Sequence, residues 1–432
     1  MTGARRGREG WWSRWATGAR YEVARWPLWR WDQNVRYLTK SFLHRPDPAT
    51  PEDAAYWAAQ RAWQARRMVK TTTATRDAWH LSAAGDLMWL RDGYESFLSP
   101  ELARRMGRAD LLVANLETPV DPQRPVKRWV YETLHYNAPP AYLDALAAAR
   151  AGRPTALSVC NNHALDQGLD GLSATRQQVE ARGIACVGGP QAGDAVTHLR
   201  AGELSIAIVG LTFGVNGVAP GAPLPAGIPC AQFGDPRADR GWDRIAALLA
   251  QARAHDPDLL IVAPHWGYEY EYWPDAAMRA DAHTLMSLGS DVILGTSPHV
   301  LQPVEVVSID GWDATCPAQV TRGGPPRGGV IAYSLGNLAT IMPTLPCTVG
   351  ALLHGWWRRD ARGIAQPVAL AADPTLTGRA FGARWLDART ITLDEHLLSP
   401  TTTLPAGPHV LHARAMLYPL YMPPRPRQEP PT

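Results

Sequence analysis

The sequence has few cysteines and no long hydrophobic run. Five cysteines among 432 residues include no Cys-x-x-Cys pair, so neither a disulfide framework nor a zinc ribbon is predicted. No stretch reaches the roughly 18 consecutive apolar residues of a membrane-spanning helix, and the N-terminal segment lacks the apolar core of a secretory signal. We therefore expect a cytoplasmic protein without a signal peptide or transmembrane helix.

Excess charge of one sign is also scarce, except at the N-terminus. The formal net charge of +3 is too small to indicate nucleic acid binding. Residues 1–45, however, hold nine Arg and one Lys against three acidic residues, and apolar residues follow one helical stripe from Trp12 to Trp26. Several interpretations of this basic, Trp-faced helix stay open. It would dock on its own domain, lie on a membrane surface or contact a polymer synthase, and stacking on nucleic acid is a weaker alternative.

A second helix is predicted from Thr50 to about Met68, since Thr50 can cap it and Pro51 suits its first turn. From Trp79 onwards, short apolar runs alternate with helical patterns over some 260 residues. This alternation by itself predicts a doubly wound α/β sheet with ligands at the carboxyl ends of its strands. After about Gly350 the pattern changes to short strand-like pieces, and a Pro-rich tail follows from Pro423.

The predicted strands end in polar residues at five places. These ends carry, in chain order, Asp86, Glu117, Asn162 with His163, His265, and His299. Convergent polar side chains would be costly to desolvate unless a cation or a ligand satisfied them. Carboxylate oxygens mixed with imidazole nitrogens suit Mn²⁺, Fe²⁺ or Zn²⁺ better than Mg²⁺ or Ca²⁺. The pattern predicts metal-assisted hydrolysis with His163 as proton donor, whereas isolated histidines such as His80 and His354 are expected to be structural.

Seven segments stand in the order of a known family. They read GDLM, NLE, NAPPAYLDAL, CNNHALDQG, PHWGYEYEYWP, GTSPHVLQPVE and YSLGNL, and they cover roughly residues 79–350. In this order the chain resembles the CapA-type proteins of poly-γ-glutamate capsule synthesis, which are similar to calcineurin-like metallophosphoesterases. The resemblance implies a four-layer α/β/β/α sandwich, here with an N-terminal helical extension, in place of a doubly wound sheet.

The resemblance also implies roles for the residues at the strand ends. One or two divalent ions (Mn, Fe or Zn) would be bound, the first by Asp86 and His299 and the second by Asn162 and His265. Glu117 would bridge them, and His163 would be the catalytic proton donor. The remaining pocket residues would be Asp166, Glu269, Tyr270, Ser297 and Asn337.

One departure from the family pattern concerns the second metal. Position 297 is Ser where the family has a metal-binding His, and a hydroxyl is a poorer ligand for these cations. Two functions therefore stay open. The first is a metal-dependent hydrolase associated with poly-γ-glutamate synthesis, cleaving a phosphoester or an amide or γ-glutamyl bond. The alternative is a non-catalytic accessory or binding protein of a polymer-assembly complex.

The same patterns predict three regions. These are a basic, Trp-rich helical extension over 1–76, a CapA-like domain over 77–350, and a strand-rich extension with a Pro-rich tail over 351–432. The expected partners are a glutamyl polymer or a phosphoester substrate, together with a peripheral contact of residues 1–45 with the membrane or a polymer synthase.

Overall fold

A computed structural model describes residues 49–69, 73–126, 135–216, 218, 223–234, 240–342, 344–378, 389–398 and 407–421. The predicted helix from Trp12 to Trp26, the basic segment 1–45 and the Pro-rich tail lie outside these residues. Within the described part of the chain, no helix combines the length and the apolar character needed to span a bilayer.

Fifteen strands of the described chain form two sheets. The first sheet has the order β15-β14-β13-β1-β2-β3-β4, with β12 pairing the end of β1, and the second has the order β10-β9-β11-β8-β7-β6-β5. Strands β1 to β4 run parallel, as do β6, β7, β8 and β11. The strands are β1 (Trp79–Met88), β2 (Leu111–Glu117), β3 (Thr155–Ser158), β4 (Ala185–Val187), β5 (Val196–Ala201), β6 (Leu204–Thr212), β7 (Leu259–His265), β8 (Val292–Leu294), β9 (Val304–Ile309), β10 (Ala318–Val320), β11 (Arg327–Ala332), β12 (Asn337–Ala339), β13 (Val349–Arg359), β14 (Ala365–Thr377) and β15 (Thr390–Thr392).

Eight α-helices of the described chain accompany the sheets. They are α1 (Pro51–Arg67), α2 (Pro100–Met106), α3 (Ala141–Arg150), α4 (Gly168–Glu180), α5 (Trp242–Arg253), α6 (Ala276–Ser287), α7 (Leu393–Leu398) and α8 (Gly407–Leu417). Short 3-10 helices span Ala192–Ala195 and Leu345–Thr348. The start of α1 confirms its sequence signal, because the Thr50 hydroxyl accepts a hydrogen bond from the Asp53 N–H.

Three apolar cores separate four layers. The largest lies between the sheets, where Leu81 and Val113 of the first sheet meet Ile206 and Ile261 of the second. The second core packs helices α2, α3 and α4 against the outer face of the first sheet. The third packs α5 and α6 against the outer face of the second sheet. This arrangement confirms the α/β/β/α sandwich and corrects the doubly wound sheet that the alternation of elements predicted.

The C-terminal strands are longer than the sequence pattern predicted. Instead of short pieces, β13 and β14 are strands of 11 and 13 residues that pair antiparallel along their length, and β13 also pairs with β1. Proline interrupts the apolar pattern of β14 at Pro367, which lies beside a register shift opposite Trp357, the kind of place where a strand tolerates proline. Strand β13 runs through residue 350, and the three-region division stays a prediction.

Helix α1 covers an open edge in the second sheet. Strand β10 pairs only with the end of β9, from Val307 to Ile309, which leaves the start of β9 without a strand on that side. The side-chain amides of Gln60 and Gln64, one turn apart on α1, donate to the carbonyl oxygens of Val306 and Val304 at 3.1 and 2.8 Å. These contacts satisfy backbone groups that an uncovered edge would offer to another chain.

Candidate metal centre

A bulge in β1 turns Asp86 towards the space between the sheets. Side chains alternate between faces along a strand, and Ala83 packs in the inter-sheet core, so an unbroken strand would send position 86 to the helix-covered face. The register against β2 slips between Ala83 and Asp86, which places Asp86 opposite Asn115. Gly85 permits this path, because a Cβ there would lie 1.9 Å from the carbonyl oxygen of Gly336.

Strand β2 supplies two polar side chains to the same face. Val113 lies in the inter-sheet core, so the period of two places Asn115 and Glu117 on that face as well. The Asn115 side-chain N–H donates to Asp86 Oδ1 at 2.7 Å. Both carboxylates, those of Asp86 and Glu117, are fully buried.

The second sheet contributes histidines from two neighbouring strand ends. His265 is the last residue of β7, and His299 lies in the loop after β8. Ser297 and His299 have φ angles of +98° and +58°, a region that costs a non-glycine residue roughly 1–3 kcal/mol. The Ser297 backbone N–H donates to Asp86 Oδ2 at 3.2 Å, so this loop is bonded directly to the carboxylate.

The structure brings four of the predicted metal ligands together. One oxygen each from Asp86 and Glu117 and one nitrogen of His299 lie within 4.8 Å of one another. His299 Nε2 is 3.7 Å from Glu117 Oε1, and His265 Nε2 is 3.5 Å from the same oxygen. Two carboxylates and two imidazoles form a donor set that fits a divalent cation such as Mn²⁺, Fe²⁺ or Zn²⁺.

The buried charges of this centre stabilise one another. Burial alone would raise the pKa of Asp86, but its hydrogen bond with His299 and the charges of His265 and His299 hold that pKa below its ordinary value. Burial lowers the pKa of His299, whereas the charge of Glu117 and the bond to Asp86 outweigh burial and raise it to about 10. A cation that binds here must therefore displace a proton from His299.

Asn337 holds the ring of His299 in place. His299 Nδ1 lies 3.0 Å from Asn337 Oδ1, and the Asn337 amide donates back to the His299 carbonyl oxygen at 3.3 Å and to that of Cys347 at 2.9 Å. A neutral His299 that donates Nδ1–H to Asn337 keeps its lone pair on Nε2, the nitrogen facing Glu117. The sequence predicted Asn337 as a pocket residue without a role, and these contacts indicate an orienting one.

His163 and Asp166 form a buried pair at the edge of the centre. His163 Nδ1 lies 2.6 Å from Asp166 Oδ2, and its Nε2 lies 4.0 Å from Glu117 Oε1. Asp166 Oδ2 also accepts from the Tyr136 N–H at 2.6 Å, and the Tyr136 ring stacks on the imidazole with centroids 4.0 Å apart. Two contacts from outside the motif thus fix the orientation of His163.

The other predicted residues surround this group. Asn162 is buried in the same loop as His163, and its carbonyl oxygen accepts from the Asn216 N–H at 2.7 Å; its role as a ligand stays a prediction. Glu269 and Tyr270 are half-buried, and the charge of Glu269 contributes to the raised pKa of His299.

Three residues of the site carried no role in the sequence analysis. Asn115 could have been found, because it lies two positions before Glu117 on one strand and therefore on the same face. Thr296, whose hydroxyl lies 3.1 Å from His265 Nδ1, stands two residues after β8 and could have been found because it is a polar residue at a strand end. Tyr136 lies 27 positions before His163, and no local pattern connects the two.

The known proteins similar to this chain include two that are named for polymer synthesis. The "PGA biosynthesis protein CapA" of Bacillus subtilis is 28% identical over 234 residues, which is 53% of this chain and 53% of that protein. A "Probable polyglutamine synthesis accessory protein" of Mycobacterium tuberculosis is 30% identical over 38% of this chain and 44% of its own. A solved structure described as a novel phosphatase of Mycoplasma pneumoniae covers 69% of this chain and 93% of that one, at 13% identity and a TM-score of 0.39.

The chain spans about half the length of the named relatives that it matches. The family match covers more: the model described as "Bacterial capsule synthesis protein PGA_cap" matches residues 80–341, which is over half of the chain and includes every residue of the candidate metal centre. The resemblance inferred from the seven segments is thereby confirmed, and the chain belongs to the PGA_cap family of bacterial capsule synthesis proteins.

Proposed function

We propose that this chain is a metal-dependent hydrolase that acts in poly-γ-glutamate synthesis and cleaves a phosphoester or an amide or γ-glutamyl bond. The observation that carries the proposal is the meeting of Asp86, Glu117 and His299 within 4.8 Å, with His265 3.5 Å from Glu117. Four buried ionisable side chains from separate strand ends are costly to bring together for packing alone. A bound cation would offset that cost.

Asp86, Glu117, His265 and His299 would hold the cation, with Asn162 as a further ligand. When bound, such a cation lowers the pKa of a coordinated water and polarises a phosphoryl or carbonyl oxygen. The second sheet layer and the strained loop after β8 keep the two histidines in place without the metal. The site is thus preorganised, which limits the rearrangement that binding requires.

His163 would donate the proton to the leaving group. Its Nε2 faces the centre, 4.0 Å from Glu117 Oε1, while Nδ1 is engaged by Asp166. A carboxylate on Nδ1 fixes the orientation of the ring and leaves Nε2 directed at the centre, where a leaving group would lie. Tyr136, stacked on the ring, prevents its rotation away from the centre.

The test combines metal content with turnover. Protein purified with Mn²⁺, Fe²⁺ or Zn²⁺ is expected to retain at least one equivalent and to hydrolyse an aryl phosphate or poly-γ-glutamate. His299→Ala should lose metal and activity together. Removing a residue that only orients a metal ligand lowers metal affinity or activity about 10–100-fold, and removing a ligand itself should lower them further. His198→Ala, on strand β5 outside the centre, is the matched control.

Two results would contradict the hydrolase. One is wild-type protein that retains metal but turns over neither substrate. The other is a His299→Ala variant whose activity equals that of the wild type. Preference between the two substrates would identify the bond that is cleaved.

A non-catalytic binding role is the second candidate, and Ser297 is the observation that favours it. The family pattern has a metal-binding imidazole at this position, whereas Ser297 contributes its backbone N–H, which donates to Asp86 Oδ2. The name of one relative, the probable polyglutamine synthesis accessory protein of M. tuberculosis, agrees with such a role. In this role the centre would hold a cation that binds glutamyl carboxylates without cleavage.

Ser297→His separates the two candidates. Position 297 already tolerates a positive φ without being glycine, so the replacement adds no new kind of backbone strain. In a hydrolase with a weak second metal position, the added imidazole should increase metal affinity about tenfold and raise turnover. A binding protein would gain affinity without turnover, and Ser297→Asn is the size-matched control.

A further inference from the structure

We propose that a second site, separate from the metal centre, binds a small ligand through an oxyanion group, a carboxylate or a phosphate. The site is a cavity of about 210 Å³ on the helix-covered face of the first sheet. It is lined by His80, Arg104, Arg105, Arg108, His354, Trp356, Ala371 and Asp373.

Three arginines from α2 and the residues just after it carry the positive charge of the lining. Glu101 holds two of them side by side, with Arg104 Nε and Arg105 Nε each 2.7 Å from its carboxylate oxygens. Arg105 is bonded further to Asp373 at 2.7 Å. Arg104 uses only Nε and Nη2 in its bond to Glu101, so the Nη1 donors remain for a ligand, and Arg108 is exposed beside it.

A histidine pair forms the floor of the cavity. His354 Nε2 lies 3.1 Å from Asp373 Oδ2, and its Nδ1 lies 2.9 Å from His80 Nε2 and 2.8 Å from the Ser82 hydroxyl. A His354 that donates to Asp373 accepts from both Ser82 and His80 through Nδ1. Trp356 stacks on His80 with centroids 4.5 Å apart, so the floor is fixed before any ligand arrives.

The charge of the lining selects an anion. The lining holds three guanidinium groups and one carboxylate, that of Asp373, which is already bonded to Arg105 and His354. Glu101 pairs with Arg104 and Arg105, and Asp394 pairs with Arg105, so Arg108 and the remaining donors of Arg104 provide the attraction for an anion. Guanidinium groups bind carboxylate and phosphate oxygens through paired N–H donors. The sequence pattern predicted His80 and His354 to be structural, and both line this cavity.

The cavity is independent of the metal centre. His80 and Asp86 lie on one strand, six residues apart, which corresponds to about 20 Å along the sheet. The cavity lies near the start of β1 and the metal centre near its end. A ligand in the cavity therefore needs no metal, and its binding is separable from the proposed hydrolysis.

The test is calorimetric titration of the full metal-free chain, kept in a chelator, with inorganic phosphate and separately with glutarate. The paired variant Arg104→Gln/Arg108→Gln should weaken binding at least tenfold. Both side chains are exposed, so the fold should survive, and circular dichroism checks that it does. Arg67→Gln/Arg200→Gln removes the same charge elsewhere and should change binding less than twofold, and His299→Ala should leave it intact.

Binding of phosphate alone, of glutarate alone or of both would support the site and identify the oxyanion it takes. The proposal is overturned if neither probe binds the wild type at millimolar concentration, or if the Arg104→Gln/Arg108→Gln variant binds as the wild type does. It is also overturned if binding disappears in His299→Ala, since the probe would then occupy the metal centre.

Discussion

Buried carboxylates lie at both ends of strand β8, and their charges are neutralised by different partners. Asp291 with its arginines forms the cluster before β8, and Asp86 with Glu117 belongs to the candidate metal centre after it. Before β8, the fully buried Asp291 accepts hydrogen bonds from Arg322 and Arg327 at 3.0 and 2.9 Å and pairs with Arg253 as well. After β8, the carboxylates of the metal centre face only histidines among the described cationic side chains in contact with them.

The cationic partner of the buried carboxylates distinguishes a structural cluster from a cluster that can bind a metal ion. Arginine keeps its charge at every accessible pH, so Asp291 is permanently paired. Histidine can give up its proton within the accessible pH range and then offers a lone pair to a cation. Buried carboxylates that face histidine can therefore exchange a proton for a metal ion, whereas the Asp291 cluster cannot.

The largest expected effect comes from breaking the arginine cluster. Asp291→Asn leaves three guanidinium groups around a neutral side chain, and removing one partner of a buried pair costs about 3–5 kcal/mol. Asp86→Asn in metal-free protein should cost less than Asp291→Asn, because it also removes repulsion from the nearby Glu117 and the histidines can release their protons. Urea unfolding of both variants in chelator measures the difference.

Asp310→Asn provides a control for the first variant. Its carboxylate accepts bonds from the backbone N–H groups of Arg322 and Gly323, but it follows β9 directly and is only half-buried. We expect a small loss there. Equal destabilisation by Asp291→Asn and Asp86→Asn would remove the distinction between the two clusters.

The two clusters should also respond to pH at opposite ends of the scale. Burial opposes the charge of Asp291, but Arg253, Arg322 and Arg327 lower its pKa, so its stabilisation is present above the unfolded value of about 4 and is lost as the pH falls. The pKa of His299 is raised to about 10, so its stabilisation is complete below about pH 6.5 and is lost as the pH rises through 10.

Unfolding free energies measured against pH in chelator test this contrast. In Asp291→Asn the fall of the unfolding free energy at acid pH should become smaller, while the fall at alkaline pH stays unchanged. In His299→Gln only the fall at alkaline pH should become smaller. A wild-type profile without an alkaline limb would show that His299 is not held as an imidazolium. In the presence of metal, affinity should instead rise with pH, because the bound cation replaces the His299 proton.

The strand ends explain how much of the centre the sequence could predict. Parallel strands deliver their carboxyl ends to one edge, so Asp86, Glu117, His265 and His299 could be grouped before any coordinates were known. The β-bulge that turns Asp86 inward could not be predicted, because its only local sign in the sequence is the glycine at position 85. That glycine is required by the close approach of the Gly336 backbone, which lies 251 positions later in the chain.

The partition into two sheets could not be predicted from local pattern. A strand buried between a sheet and helices and a strand buried between two sheets have the same apolar composition. Only the family resemblance supplied the four layers. The Asp291 cluster was missed for a related reason, since its three arginines come from two segments distant from each other, Arg253 in one and Arg322 with Arg327 in the other, and each arginine alone is typical of a protein surface.

The smallest expected effect concerns His163, whose Nδ1 lies 2.6 Å from Asp166 Oδ2. Asp166→Asn keeps the shape of the side chain but removes the carboxylate that orients the His163 ring through Nδ1, so kcat should fall about tenfold to hundredfold. KM and metal content should stay unchanged, because Asp166 contacts neither of the two centre histidines. Asp166→Glu should restore part of kcat, which a purely structural role would not predict. Loss of metal in Asp166→Asn would instead show that His163 and Asp166 contribute to metal binding. His163 would then join His265 and His299 as a histidine that exchanges its proton for a metal ion, in contrast to the arginines around Asp291.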